Sequence, residues 1–304
     1  MKIKTVGVIG LGAMGVIYAH LFTQALGKEH VLVLADKDRV ARYEKEGIYF
    51  NGQLCNFNYT DVAGEHPPVD LLLFAVKFGA LSEAIESCRH LVGPDTILLS
   101  ILNGIRSEEV LSEAFGPENV VWCVAQKMPA KKEGNHATCT DTGELAIGVP
   151  AGQDTAALHT LTEFFDSIRF RYVLPADIRQ HMWSKLLCNT GCNQAAMVFE
   201  ATYRTLQQPG KPRDVMVSAM REVAAVAQAE GIDLSEKDVK AWCDILDGMD
   251  PDSEPSMRQD GKAHRKSEVE LFAGTIVRLA KKHNIPVPTN EWLYQKVAEM
   301  ESQY

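Results

Sequence analysis

The chain has 304 residues, 46% of them hydrophobic, so it can bury a large core and is long enough for two domains. A formal net charge of −9 with no basic stripe excludes a general nucleic-acid binder. No apolar run reaches the length of a membrane span, and an apolar strand starts too close to Met1 to leave room for a signal peptide, so a cytoplasmic location with no membrane partner is expected.

In chain order, the first predicted strand, Val6-Gly-Val-Ile, runs into Gly10-Leu11-Gly12-Ala13-Met14-Gly15, and a helical pattern follows through Tyr18, Ala19, Leu21 and Phe22. G-x-G-x-x-G alone is a weak signal. Here a strand precedes it, a helix follows, and a second strand, Val31-Leu-Val-Leu-Ala35, ends in the acid Asp36. In that context Gly10 makes the tight turn, Gly12 lets the backbone approach a pyrophosphate, and Gly15 lets the helix pack on the strand. The phosphates would rest on the helix N-terminus, so a dinucleotide is expected. A polar helix at 38–46 and a short β-like stretch at 48–59 come next. Residues 70–76 and 96–102 are continuous apolar runs, as strands buried on both faces of a parallel sheet require, with a helix at 81–91 between them. A helix at 107–114, a strand at 120–125 and further strands at 143–149 and 171–174 complete the first half; the basic cluster at 127–132 reads as a solvated loop. This βαβ order implies a doubly wound sheet with right-handed crossovers.

Near Pro175 the character changes to helical patterns at 178–200, 213–230, 236–246, 264–283 and 289–300, punctuated by Gly231 and Asn284-Ile-Pro-Val-Pro288. The expected fold is α/β: an N-terminal doubly wound Rossmann-type dinucleotide-binding domain at 1–175, then a second, all-helical substrate domain at 176–304. The cleft between two such domains is the default place for a substrate. Seven cysteines (Cys55, Cys88, Cys123, Cys139, Cys188, Cys192, Cys243) are scattered without a C-x-x-C pair and read as buried free thiols of a reducing compartment. The nine histidines show no ligand spacing, so no metal is expected.

The helix at 178–200 carries the second strong signal. Lys185, Asn189 and Asn193 lie four apart and form one stripe with about 6 Å between steps. Met182, Trp183, Leu186, Leu187, Cys188, Cys192, Ala195 and Met197 make the rest apolar nearly all round. A solvated face would carry several charges; one lysine and two amides fit a polar ladder inside a cleft better.

Several separated motifs then line up: Gly10-x-Gly12-x-x-Gly15, Val76-Lys77, Leu102-Asn103-Gly104, Trp183-x-Lys185-x-x-x-Asn189-x-x-x-Asn193, Pro255-Ser256-Met257-Arg-Gln-Asp260 and Ser267-Glu268-Val-Glu270. Together, over essentially the whole chain, they resemble the ketopantoate reductases (2-dehydropantoate 2-reductases). The resemblance implies NADPH-dependent reduction of 2-dehydropantoate, a small 2-oxo acid, to pantoate on the route to pantothenate and coenzyme A. It makes Lys185 the general acid that protonates the developing alkoxide, and Glu268 the carboxylate that positions that lysine or the substrate hydroxyl. It assigns Asn189, Asn193 and Ser256 to the substrate hydroxyl and carboxylate, Asn103 to the nicotinamide or the ketone, and Lys77 to the adenosine side of the cofactor. Leu11, Ala13 and Met14 join the three glycines of the phosphate loop.

Plainer readings stand beside these. Ser256 reads equally as a helix N-cap, Glu268 as a surface partner of Arg265 or Arg258, Asn103-Gly104 as a turn, and Lys77 as a solvated strand end. Two departures from the family pattern matter. Asp36 stands where NADPH-using members present a neutral or basic group; an acid there bonds the ribose hydroxyls and repels a 2′-phosphate, which favours NADH, although Lys37 and Arg39 follow at once. The segment 122–128 and Ala273 also differ, which leaves room for a paralogue that reduces another 2-oxo acid. The same two-domain plan serves 3-hydroxyacid and opine-type dehydrogenases, against which the block from Ser256 to Glu270 argues. A non-catalytic dinucleotide-sensing protein is the rival of a different class; it would have no use for Lys185 and Glu268. Whether a second copy completes a homodimer is left open by the sequence.

Overall fold

The computed structural model describes residues 2–304, which divide into two compact units: residues up to 102 with 106–178, and residues 103–105 with 179–304. The strands all lie in the first unit. They are β1 (Val6–Ile9), β2 (Val31–Ala35), β3 (Tyr49–Phe50), β4 (Gln53–Leu54), β5 (Asn58–Asp61) and β6 (Leu71–Phe74). Then come β7 (Ile97–Ser100), β8 (Val120–Gln126), β9 (Ala130–Glu133), β10 (His136–Cys139), β11 (Glu144–Gly148) and β12 (Tyr172–Val173). The main sheet has the order β12-β11-β8-β7-β6-β1-β2-β5. From β5 to β8 every pairing is parallel; β11 runs antiparallel to β8, and β12 runs parallel to β11.

Both faces of this sheet are covered, which is why its strands carry no polar alternation. On β6, Leu71 and Leu73 enter one core with Val6, Val8, Phe22 and Phe165. Leu72 and Phe74 enter the other with Ile9, Leu34, Leu81, Ile85 and Leu111. The covering helices are α1 (Ala13–Leu26), α2 (Lys37–Glu46), α3 (Leu81–Cys88), α4 (Ser107–Phe115) and α5 (Ala156–Ser167). The chain reverses its direction of winding at β1, with β2 on one side and β6 on the other. Open sheets of this kind bind ligands beyond the C-terminal strand ends at such a switch point.

The second unit is entirely helical. It contains α6 (Ile178–Cys188), α7 (Gln194–Val198), α8 (Tyr203–Gln207), α9 (Lys211–Ala229) and α10 (Glu236–Asp247). It continues with α11 (Ser256–Lys262), α12 (Thr275–His283) and α13 (Pro288–Glu301). Two π-helical turns, Asn189–Asn193 and Glu270–Gly274, lie at the α6–α7 junction and ahead of α12. The long α9 buries Met216, Ala219, Met220, Val223, Ala224, Val226 and Ala227, a wide apolar face typical of a core helix. Local signals set its neighbours: a reciprocal Ser235–Asp238 capping box opens α10, and Pro288 occupies the first turn of α13.

The structure corrects several expected elements. The segment 48–59 is not one β stretch but the β3–β4 hairpin followed by β5. The basic cluster at 127–132 is not a loop throughout, because its second half forms β9, paired antiparallel to β10 in a small sheet ordered β4-β3-β10-β9. The expected helices at 178–200 and 264–283 are interrupted: the first by its π-turn, the second by non-helical backbone before Glu270. All seven cysteines are free and buried. Among the described residues no helix is long and apolar enough to cross a membrane.

Candidate active site

In the first unit, the candidate cofactor residues gather at the C-terminal ends of three adjacent strands, β2, β1 and β6. Gly10, with φ +97°, turns the chain out of β1; a Cβ there would lie 2.7 Å from the Ala75 backbone beyond β6. A Cβ on Gly15 would overlap the Gly10 carbonyl oxygen, so only glycine lets α1 approach its own strand. Gly12 differs. It is exposed, and a Cβ there would meet nothing nearer than the Ala75 carbonyl oxygen at 3.9 Å. Gly12 is also the N-cap of α1, with no side chain capping the helix, so the first-turn N–H groups after Leu11, including those of Ala13 and Met14, remain available. Open space before uncapped N–H groups is the cradle a pyrophosphate needs, and these residues fit a dinucleotide.

Asp36 ends β2 and caps α2: its Oδ1 accepts from the Arg39 N–H at 2.8 Å, and its Oδ2 lies 3.3 Å from Arg39 Nε. The carboxylate is thus fixed at the strand end while staying about half exposed, and the Arg39 guanidinium beside it offsets part of its charge. Lys77 is exposed just past β6, at the N-cap of a short 3-10 turn.

In the second unit, hydrogen bonds join three candidates that lie 82 and 165 positions apart in the chain. Lys185 Nζ donates to Asn103 Oδ1 at 3.1 Å, and Asn103 Nδ2 donates to Glu268 Oε2 at 2.8 Å. An ammonium can only donate and a carboxylate can only accept, so the Asn103 carboxamide has one orientation that serves both. All three side chains are partly buried. Glu268 does not pair with Arg265 or Arg258, which instead face Asp260 and Glu200. The turn reading of Asn103-Gly104 also holds, since Gly104 has φ +91°, and a Cβ there would stand 3.4 Å from Leu271. The turn aims the asparagine.

Asn189 and Asn193 open and close the first π-turn; Asn189 is half-buried and Asn193 is 7% exposed. In an α-helix, residues four apart overshoot one turn, so a stripe drifts round the helix. The wider π-turn, which begins at Asn189, makes the next step fall short and so carries Asn193 back toward the Lys185 face. Gly191 permits the turn, because a Cβ there would stand 2.8 Å from the Met216 carbonyl of α9. Ser256 is exposed as the first residue of α11; the N-cap is Pro255 and no side chain caps the helix, so the capping role is not what the structure shows. Helix α11 packs against α7 and the first π-turn. Ser256, Asn189 and Asn193 stand outside the Lys185–Asn103–Glu268 hydrogen bonds. Gln194, fully buried directly after Asn193, was missed by sequence reasoning; its only signal is a second polar residue ahead of the apolar Ala195, Ala196 and Met197. Among the described residues no three His, Cys, Asp or Glu side chains converge to hold a metal ion.

Comparison with known proteins bears on both units. Residues 6–152 match the family model "Ketopantoate reductase PanE/ApbA", and residues 177–301 match "Ketopantoate reductase PanE/ApbA C terminal". A 2-dehydropantoate 2-reductase of Aquifex aeolicus is 25% identical over 300 residues, covering 97% of this chain and 96% of the relative. Among solved structures, a PanE/ApbA family ketopantoate reductase of Ralstonia eutropha JMP134 superposes with a TM-score of 0.83 at 25% identity, covering 100% of this chain and 99% of that one. A D-mandelate dehydrogenase in complex with NADH shares the fold, with a TM-score of 0.87 at 23% identity over 98% of this chain and 99% of that one.

Proposed function

Because the chain belongs to the ketopantoate reductase family, we propose that it reduces the ketone of 2-dehydropantoate to the hydroxyl of pantoate at the expense of a nicotinamide dinucleotide. The observation that carries this reading is the Lys185–Asn103–Glu268 cluster. Ketone reduction puts negative charge on the carbonyl oxygen, and a positioned cation with a proton to give both stabilises that oxygen and protonates it. Lys185 is that donor. Asn103 holds its ammonium, and Glu268 holds Asn103 and accepts from the substrate hydroxyl. Asn189, Asn193 and Ser256 supply hydrogen bonds for the hydroxyl and carboxylate of the substrate.

The dinucleotide, when bound, supplies the hydride. Backbone N–H groups of Gly10, Leu11, Gly12, Ala13, Met14 and Gly15 would hold its phosphates at the head of α1, and Lys77 would serve its adenosine side. Asp36 makes NADH the better partner. Its capping bond keeps the carboxylate where ribose hydroxyls would donate to it, and a 2′-phosphate would meet a like charge costing on the order of 1 kcal/mol, several-fold in affinity.

Initial rates of NAD(P)H absorbance loss, with 2-dehydropantoate and a panel of other 2-oxo acids and with each cofactor at one ionic strength, test the reading. It requires 2-dehydropantoate to give the highest kcat/KM. Turnover confined to a different 2-oxo acid would make the chain a paralogous reductase, and no turnover with any of them would overturn the reductase assignment.

A further inference from the structure

The two π-turns of the helical unit share one side chain. In the second turn Gly274 N–H reaches back five residues to the Val269 carbonyl at 3.0 Å, the bond that Ala273 N–H would make in an α-helix. Ala273 N–H instead donates to Gln194 Oε1 at 3.2 Å. In the first turn, Gln194 N–H goes to the Gly191 carbonyl, and the Thr190 carbonyl accepts from Gln194 Nε2 at 2.7 Å. Gln194 is fully buried, where a backbone group left unpaired would be costly.

We propose that Gln194 is a positioning residue of this site, clamping the turn that carries Asn189 and Asn193 to the turn that follows Glu268. The second turn reaches the active residues twice. The Glu268 carbonyl accepts from Leu271 N–H at 2.9 Å, and the Leu271 side chain packs on Gly104 beside Asn103. One carboxamide therefore ties the asparagine ladder to the Glu268–Asn103 pair. The role calls for a group that donates and accepts at once, which Gln offers and which neither an apolar side chain nor an ionised carboxylate offers. As a claim about substrate positioning it rests on the function proposed above; as a claim about the clamp it stands on the hydrogen bonds alone.

Two variants and two readouts test it. In Gln194→Met both bonds are lost. Hydrogen exchange should then quicken in residues 189–195 and 269–275 together, and kcat/KM for 2-dehydropantoate should fall about tenfold or more, since small misplacement of aligned groups is costly. Affinity for NADH, read by fluorescence titration, should stay within about twofold because the phosphate loop, Asp36 and Lys77 lie in the other unit. Gln194→Glu makes both bonds only while its buried carboxyl is protonated, so its activity relative to the parent should be near normal at low pH and fall as pH rises. It also carries the test if the methionine variant does not fold. Faster exchange in one turn alone, or unaltered kcat/KM with both turns loosened, would overturn the proposal. If the parent reduces no 2-oxo acid, the functional reading fails and the exchange pattern still decides whether the clamp exists.

Discussion

Asn103 sits in a turn and, on the proposed function, also holds the proton donor. Asn103→Ala leaves Gly104 to make the turn but frees Lys185 and Glu268 from their shared partner. We expect kcat/KM to fall by about 10- to 100-fold while Tm moves by only a few degrees. A large drop in Tm with unchanged kinetics per folded molecule would assign the residue to the turn alone. The sequence placed Asn103, Lys185 and Glu268 on separate segments; Lys185 and Asn103 were legible as polar residues in an apolar or glycine-bearing context, whereas Glu268, in the charged run from His264 to Glu270, was marked only by the family resemblance. Their meeting was not legible, because it depends on how distant segments pack. Glu108 had no sequence signal at all. It is fully buried in α4, accepts from Ser107 Oγ at 2.9 Å, and burial pushes its carboxyl up to about 8. The unfolded chain releases this proton near 4.5 while the folded protein keeps it to about 8, so the folded state binds the extra proton between those values. Stability carried by the neutral carboxyl therefore declines as pH rises through that window. Glu108→Gln should abolish the decline, with urea melts at about pH 5 and pH 8 diverging between parent and variant by up to a few kcal/mol. Parallel pH profiles would refute it.

At the scale of elements, the glycine motif separates two jobs that a motif search merges. Gly15→Ala forces a Cβ into the Gly10 carbonyl and should lower Tm sharply, with loss of soluble protein. Gly12→Ala meets no close atom and should fold normally, yet weaken NADH affinity about tenfold or more by occupying the pyrophosphate's space. Similar affinity in parent and Gly12→Ala would place the phosphates elsewhere. Elements with a continuous apolar run or a wide apolar face were legible: the strands β1, β2, β6, β7 and β8, and the helix α9. The π-turns were not, because spacing of four reads as α-helix whichever ladder the backbone adopts, and only Gly191 and the buried Gln194 hint at the change. β9 and β10 escaped because a four-residue strand with two lysines, Lys131 and Lys132, looks like a solvated run. The helix α5 is missing from the sequence reading even though Leu158, Leu161, Phe164 and Phe165 give it an amphipathic face.

For the molecule as a whole, the order of predicted strands and helices sufficed for the fold class: an apolar parallel sheet covered on both faces, followed by an all-helical unit. Cofactor choice is a property of the whole electrostatic setting at the end of β2, where Asp36 and Arg39 face each other. NADH should give the higher kcat/KM, and Asp36→Ser, which keeps a capping oxygen and removes the charge, should level or reverse the ratio. A clear NADPH preference in the parent would mean that Arg39 and Lys37 hold the 2′-phosphate. Ketone reduction by this site depends above all on Lys185 as the proton donor. The most direct measurement is steady-state turnover of 2-dehydropantoate by Lys185→Ala beside the parent, with cofactor affinity measured in parallel. If Lys185 is the donor, kcat falls by roughly 10²- to 10⁴-fold with cofactor affinity nearly unchanged; parental kcat in the variant would show that it is not.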